Sequence, residues 1–254
     1  AQGKLAPMGF DPAKLSGFVS SGEEAFCHIK EHHSGQRCLF FTWERELNEP
    51  GASFLEGLDV SSASAASADF ILCQGTEVIS NGAAVVKTGF LHSGDITPYI
   101  AALETARARD LEMLVANADL RAMLPSGASG HMPGAIGKAY EQMGGRVRWF
   151  GKPHAAHFEA CLRLLHPIPR ERVVHVGDSL EHDIQGANAA GIDSVFVAAG
   201  IHGAQLGLRV SGEGVVAADS AALTEESIAM VVDEEASRGV VSVTPTWACR
   251  QFVW

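Results

Sequence analysis

Two aspartates and a lysine toward the carboxyl end carry the clearest chemistry this sequence offers. The segment Val173-Val-His-Val-Gly-Asp-Ser-Leu-Glu-His-Asp puts Asp178 directly after an apolar run and Asp183 five residues later. Gly177 lets the backbone turn tightly, so Asp178 projects from the carboxyl end of a strand, the edge where open parallel sheets take their ligands. Asp183 falls about one turn into the next helix, and both carboxylates can then face one point above the sheet. Paired hard oxygens suit Mg2+, which takes a few carboxylates and completes its octahedron with water and phosphate oxygens. Upstream, Trp149-Phe-Gly-Lys-Pro-His repeats the pattern of strand, glycine and charge, and Lys152 is there a point charge for a phosphate beside that metal. Pro153 stands where a helix can start. A second reading stays open at this level: Asp178 and Ser179 cap the helix, Asp183 lies on its wet face, and Lys152 faces solvent.

The elements that must hold these side chains are legible as alternating patterns. Short apolar runs bounded by polar or glycine positions predict strands at Cys38–Thr42, Phe70–Cys73, Met113–Ala116, Val147–Phe150, Val173–Val176 and Ser194–Ala198. Helices fall between them. In His154–His166 the residues Phe158, Leu162 and Leu165 repeat at i, i+4 and i+7, and in Ser179–Ala190 Leu180, Ile184 and Ala187 do the same. Strand and helix in alternation predict an α/β, doubly wound parallel sheet. The run Ser61–Ala68, rich in serine and alanine, reads as a surface helix or loop leading into the next strand. Beyond Gly200 the pattern loosens, resumes around Ile228–Val232, and ends in an aromatic tail, Trp247, Phe252 and Trp254, that is expected to pack on the body.

Bulk properties narrow the function classes. A length of 254 residues, 46% of them hydrophobic and 19% charged, is that of a globular chain able to bury a large core. No apolar run approaches the roughly 20 residues that span a bilayer, so no membrane insertion is expected. A net charge of -11 argues against nucleic acid as the main partner. Cys27, Cys38, Cys73, Cys161 and Cys249 are odd in number and form no CxxC pair, which predicts free thiols and an intracellular, reducing compartment, cytoplasm or organelle matrix. The eleven histidines show no ligand spacing and read as solvated or packed.

In order and spacing, Lys152 followed by Gly177-Asp178 and Asp183 resembles the third and fourth motifs of the haloacid-dehalogenase superfamily. Pro133-Gly-Ala, Gly144-Gly-Arg-Val-Arg-Trp-Phe-Gly-Lys-Pro-His and Gly186-Ala-Asn-Ala-Ala-Gly-Ile-Asp are similar to its class IIA branch, which includes phosphatases of nucleotide monophosphates, phosphoglycolate and pyridoxal phosphate. Val115-Ala-Asn-Ala-Asp resembles that branch's Thr-Asn-Pro-Asp element, with Ala116 and Ala118 replacing its Thr and Pro. The resemblance implies a Rossmann-like core with an inserted α/β cap: a core remnant over 1–19, a cap over 20–145 and the rest of the core over 146–254. It implies a Mg2+-dependent phosphatase of small phosphorylated metabolites, with Lys152 catalytic, Asp178 and Asp183 as metal ligands, and Asn117 and Asp119 as substrate contacts.

The family's first motif departs from this picture. It is Asp-x-Asp on the first core strand, and no Asp in this sequence is followed two residues later by another. The Ser or Thr of the second motif is absent as well, so the first core strands are missing and the sheet is expected to have an open edge. The alternative expectation is a catalytically inactive structural or assembly subunit whose protein partner covers that incomplete sheet.

Overall fold

The computed structural model describes residues 11–49, 53–82, 84–124, 128–211, 214–217, 223–237 and 243–252. Residues 1–10 of the expected core remnant, and Trp254, lie outside the described residues. The chain divides into two compact units, Val19–Gly151 and the pair of segments Ala1–Phe18 and Lys152–Trp254.

The Val19–Gly151 unit runs α1 (Ser21–His32), β1 (Arg37–Thr42), α2 (Glu44–Asn48), β2 (Ser61–Ser62), β3 (Phe70–Cys73), β4 (Val78–Ser80), β5 (Val85–Lys87), α3 (Phe90–Ser93), α4 (Thr97–Ala108), β6 (Glu112–Val115), β7 (Arg121–Met123), β8 (Ser129–His131), α5 (Pro133–Gln142) and β9 (Arg146–Trp149). Its main sheet has the order β5-β4-β1-β3-β6-β9, with β2 paired to β1. The β1, β3, β6 and β9 pairings are parallel, and β4 and β5 close the sheet antiparallel. Alternate residues of β1, β3 and β6 enter opposite cores, as the two-residue period of a strand requires. Leu39, Phe41, Ile71, Cys73, Met113 and Val115 join one cluster with Tyr99 and Tyr140, whereas Cys38, Phe40, Phe70, Leu72 and Leu114 join another with Ala25 and Ile29. The strand expected at Val147–Phe150, which the resemblance assigns to the core from 146 onward, is β9 (Arg146–Trp149) and pairs with β6 inside this unit.

One expectation is corrected here. Ser61–Ala68 leads into β3 as expected but is only partly at the surface: Ser61 and Ser62 pair with β1, and Ala63, Ala65 and Ala68 are buried in the larger core, while Ser61 and Ala66 are exposed. The Arg109 guanidinium ties the segment down by donating to the carbonyls of Ala65 (2.7 Å) and Ala68 (2.6 Å).

The second unit contains α6 (Ala155–Leu165), β10 (Val174–Gly177), a π-helical turn at Leu180–Ile184, α7 (Gln185–Ala190), β11 (Asp193–Val197), the hairpin β12 (Leu208–Ser211) and β13 (Gly214–Ala217), α8 (Glu225–Ser237) and β14 (Trp247–Cys249). Strands β10, β11 and β14 make a parallel sheet in that order, so β10 is an edge among the described residues. Leu180, Ile184, Phe196, Ala198, Leu206, Leu208, Val231 and Val243 form its principal core. Of the described part of the aromatic tail, the backbone of Trp247 is held in β14, with Trp247 55% and Phe252 41% exposed.

Candidate active site

Asp183 is the centre of the charged network in the second unit. It is 2% exposed, and its Oδ1 lies 2.6 Å from Lys152 Nζ and 2.9 Å from His175 Nε2. Its Oδ2 accepts the Ser179 amide at 3.1 Å. Burial alone raises this carboxyl, but the His175 hydrogen bond and then the Lys152 charge outweigh it and hold Asp183 well below the usual carboxylate range. The wet-face reading of Asp183 is thereby excluded. Ser179 does cap the helical turn, its Oγ accepting the His182 amide at 3.1 Å and pairing with His182 Nδ1 at 2.9 Å.

Gly177 serves the site by close approach. A Cβ there would stand 2.2 Å from the Asp183 carboxyl carbon, so only glycine leaves room for the carboxylate to fold back over the strand end. Lys152 sits in the turn before α6, which begins at Ala155; Pro153 belongs to that turn and does not open the helix.

Asp178 has partners of its own. Its Oδ2 accepts the Ile201 amide at 3.0 Å, and Gly200 packs against it so closely that a Cβ there would be 2.1 Å from the Asp178 Cβ and Oδ2. In the other unit, Asn117 and Asp119 lie on the loop after β6, where Asn117 Oδ1 accepts the Asp119 amide at 3.0 Å. The Gly134 amide of α5 donates to the Asp119 carbonyl at 3.0 Å, fixing that loop to the helix start. Sequence reasoning missed His175; its signal is an imidazole in an otherwise apolar strand, two residues before the glycine that Asp183 covers.

Among the described residues no group of three or more His, Cys, Asp and Glu side chains is placed to hold a metal ion. The donor set fits Mg2+ in one way: Asp178 offers a hard carboxylate at a strand end, and that ion habitually keeps several waters or phosphate oxygens. Both oxygens of Asp183 are already engaged by protein donors. None of the five cysteines forms a disulfide, and burial pushes the Cys38 thiol up to about 12. Among the described residues no helix is long and apolar enough to cross a membrane.

Residues 149–233 match the family described as HAD-hydrolase-like. No curated protein matches the sequence significantly. Among solved structures the chain is similar to a haloacid dehalogenase-like family hydrolase from Brucella suis 1330, at 23% identity and a TM-score of 0.63 over 92% of this chain and 72% of that one. It is also similar to a p-nitrophenyl phosphatase from Archaeoglobus fulgidus, at 19% identity and a TM-score of 0.58 over 98% of this chain and 77% of that one. For a double-mutant thermostable NPPase from Geobacillus stearothermophilus the figures are 20% and 0.51, over 72% and 65%. Likeness at such identities speaks to fold. Residues 149–233 thus match the HAD-hydrolase-like family, and along nearly its whole length the chain shares a fold with such hydrolases.

Proposed function

We propose that this chain carries the electrostatic half of a class IIA, Mg2+-dependent phosphomonoesterase acting on a small phosphorylated metabolite, with a cap inserted between about Ser20 and about Gly145. The observation that carries the reading is the Lys152–Asp183 contact of 2.6 Å on a buried carboxylate. Asp183 orients the ammonium of Lys152, whose remaining N–H donors can face phosphoryl oxygens and stabilise the charge that develops on them. Asp178 would hold the Mg2+, and Asn117 and Asp119 would contact the substrate. When bound, Mg2+ neutralises phosphoryl oxygens.

Covalent catalysis also needs a carboxylate in line with phosphorus, and the sequence contains no Asp-x-Asp to provide one. These 254 residues alone should therefore show no phosphatase turnover, whereas the same chain joined to an upstream segment bearing that motif should turn over. Loss of the nucleophile alone is worth several orders of magnitude. Release of inorganic phosphate from a panel of phosphomonoesters with Mg2+, compared between the two proteins, is the test. Turnover by the 254 residues that disappears in Lys152→Ala or Asp178→Asn would show that the nucleophile lies within them. Silence of both proteins would favour the second reading, a non-catalytic assembly subunit. That reading draws on the edge position of β10, where Val174 is 46% exposed and a partner strand could add. Free thiols at Cys38 and Cys73 are consistent with a reducing intracellular compartment.

A further inference from the structure

Leu180 opens the π-helical turn that follows Asp178, and an amide at a helix's first position has no acceptor within the helix. Leu180 is fully buried, so water cannot serve it either. Its acceptor is His202 Nε2, 3.4 Å away on a ring that is itself only 6% exposed. The other ring nitrogen, Nδ1, lies 2.6 Å from Gln205 Oε1. Gln205 Nε2 in turn faces the carboxylates of Glu234 at 3.2 Å and Glu235 at 3.4 Å. Ionised carboxylates only accept, so Gln205 must turn its NH2 to α8 and its carbonyl to His202. His202 Nδ1 therefore carries the proton, and Nε2 presents a lone pair to Leu180.

The neighbouring residue completes a brace. Ile201 donates its amide to Asp178 Oδ2 at 3.0 Å while Leu180 donates to His202, so the segments Asp178–Leu180 and Gly200–His202 exchange hydrogen bonds in opposite directions. Gly200 permits the approach, since a Cβ there would overlap Asp178.

We propose that His202 is a positioning residue: as the neutral, Nδ1-protonated imidazole it locks the Gly200–His202 loop against the start of the helical turn and so fixes the direction of the Asp178 carboxylate. The inference rests on Asp178 being the metal-facing carboxylate of the proposed function.

The test compares the wild-type chain with His202→Leu, which removes the acceptor, and His202→Gln, whose Oε1 can stand where Nε2 stood. Amide exchange at Leu180 and Ile201 reads the brace, and Mn2+ titration followed by electron paramagnetic resonance reads Asp178. His202→Leu should speed exchange at both amides about tenfold or more, since a buried donor loses its partner. It should weaken Mn2+ binding by about 10–100-fold, the usual effect of removing a group that orients a ligand. His202→Gln should recover most of both losses, which a purely space-filling role would not allow. Equal exchange in wild type and His202→Leu, or His202→Gln behaving as badly as His202→Leu, overturns the proposal. A wild-type chain that binds no Mn2+ overturns the metal reading of Asp178 instead, and the exchange rates still decide the brace.

Discussion

In the Val19–Gly151 unit, β1, β3 and β6 are parallel strands with side chains buried on both faces, and each has a strand on either side. In the other unit β10 is also parallel, but among the described residues it is an edge, its Val174 is exposed and its remaining residues are only half-buried. Parallel strands ordinarily occur with both faces covered, because their crossovers bring helices to both sides. The contrast shows that the charged network of Lys152, His175 and Asp183 is built on the less enclosed of the two sheets. Its geometry is held by hydrogen bonds to a buried carboxylate more than by apolar packing.

The strongest way to break this comparison is to damage the better core. Phe41→Ala removes a fully buried ring packed edge-on against Tyr99 at 4.9 Å, and should cost about 3–5 kcal/mol. Urea unfolding should show the loss in a transition of the Val19–Gly151 unit. A loss under about 1 kcal/mol would mean that this core is not the tightly packed one described. In the second unit the corresponding lesion is electrostatic. Lys152→Ala leaves Asp183 with one cationic partner fewer, but the lysine side chain is 40% exposed, so solvent screens part of the interaction. About 1–2 kcal/mol is expected, in a transition of the second unit.

Acid should separate the two units by a smaller margin. His28 is half-buried against Phe150, and burial first, then the nearby Arg148, His32 and His33, lower its pKa to about 4, with Glu112 opposing. A folded-state value below the unfolded value of about 6.5 means that the unfolded chain takes up the proton first. Stability from His28 is thus complete above pH 6.5 and is lost as pH falls toward 4, by about 1 kcal/mol after discounting for solvent. Asp183, facing Lys152, His175 and the Ser179 amide, keeps its contribution through that range. Its share is lost only below the ordinary aspartate value of about 4, as pH falls through its still lower folded value. Urea midpoints measured from pH 7 to 4 should fall more for wild type than for His28→Gln in the first unit. Equal slopes would show that His28 does not report this burial.

The sequence made some of this visible and hid the rest for physical reasons. Phe70–Cys73 and its neighbours are legible because a doubly buried strand must be a short continuous apolar run. β2, β4 and β5 carry no such mark, being two or three residues long and fixed by the strands they pair with. The Ser61–Ala68 segment misleads because alanine is common both at surfaces and in tight cores. The spacing of Asp178 and Asp183 announces a site, but it cannot show that Asp183 would turn inward to Lys152 while Asp178 turned toward Ile201. That division depends on His175 and Gly200, whose roles exist only after folding.

The mildest substitution sharpens the comparison most. Val174→Lys puts a charge on the first residue of β10, at a side chain that is already 46% exposed and whose strand is an edge. In the 254-residue chain the lysine can extend into water, and exposed positions away from packed features usually change stability by less than about 0.5 kcal/mol. If another strand covers this edge in the complete assembly, the same charge would be forced beside an occupied surface, and a burial cost of several kcal/mol would apply. Thermal unfolding of the variant as the isolated chain and joined to an upstream segment bearing the Asp-x-Asp motif separates these cases. A small loss in the first and a large loss in the second is the expected pair. A large loss already in the isolated chain would mean that Val174 is enclosed, and that the difference drawn between β10 and the doubly buried strands does not hold.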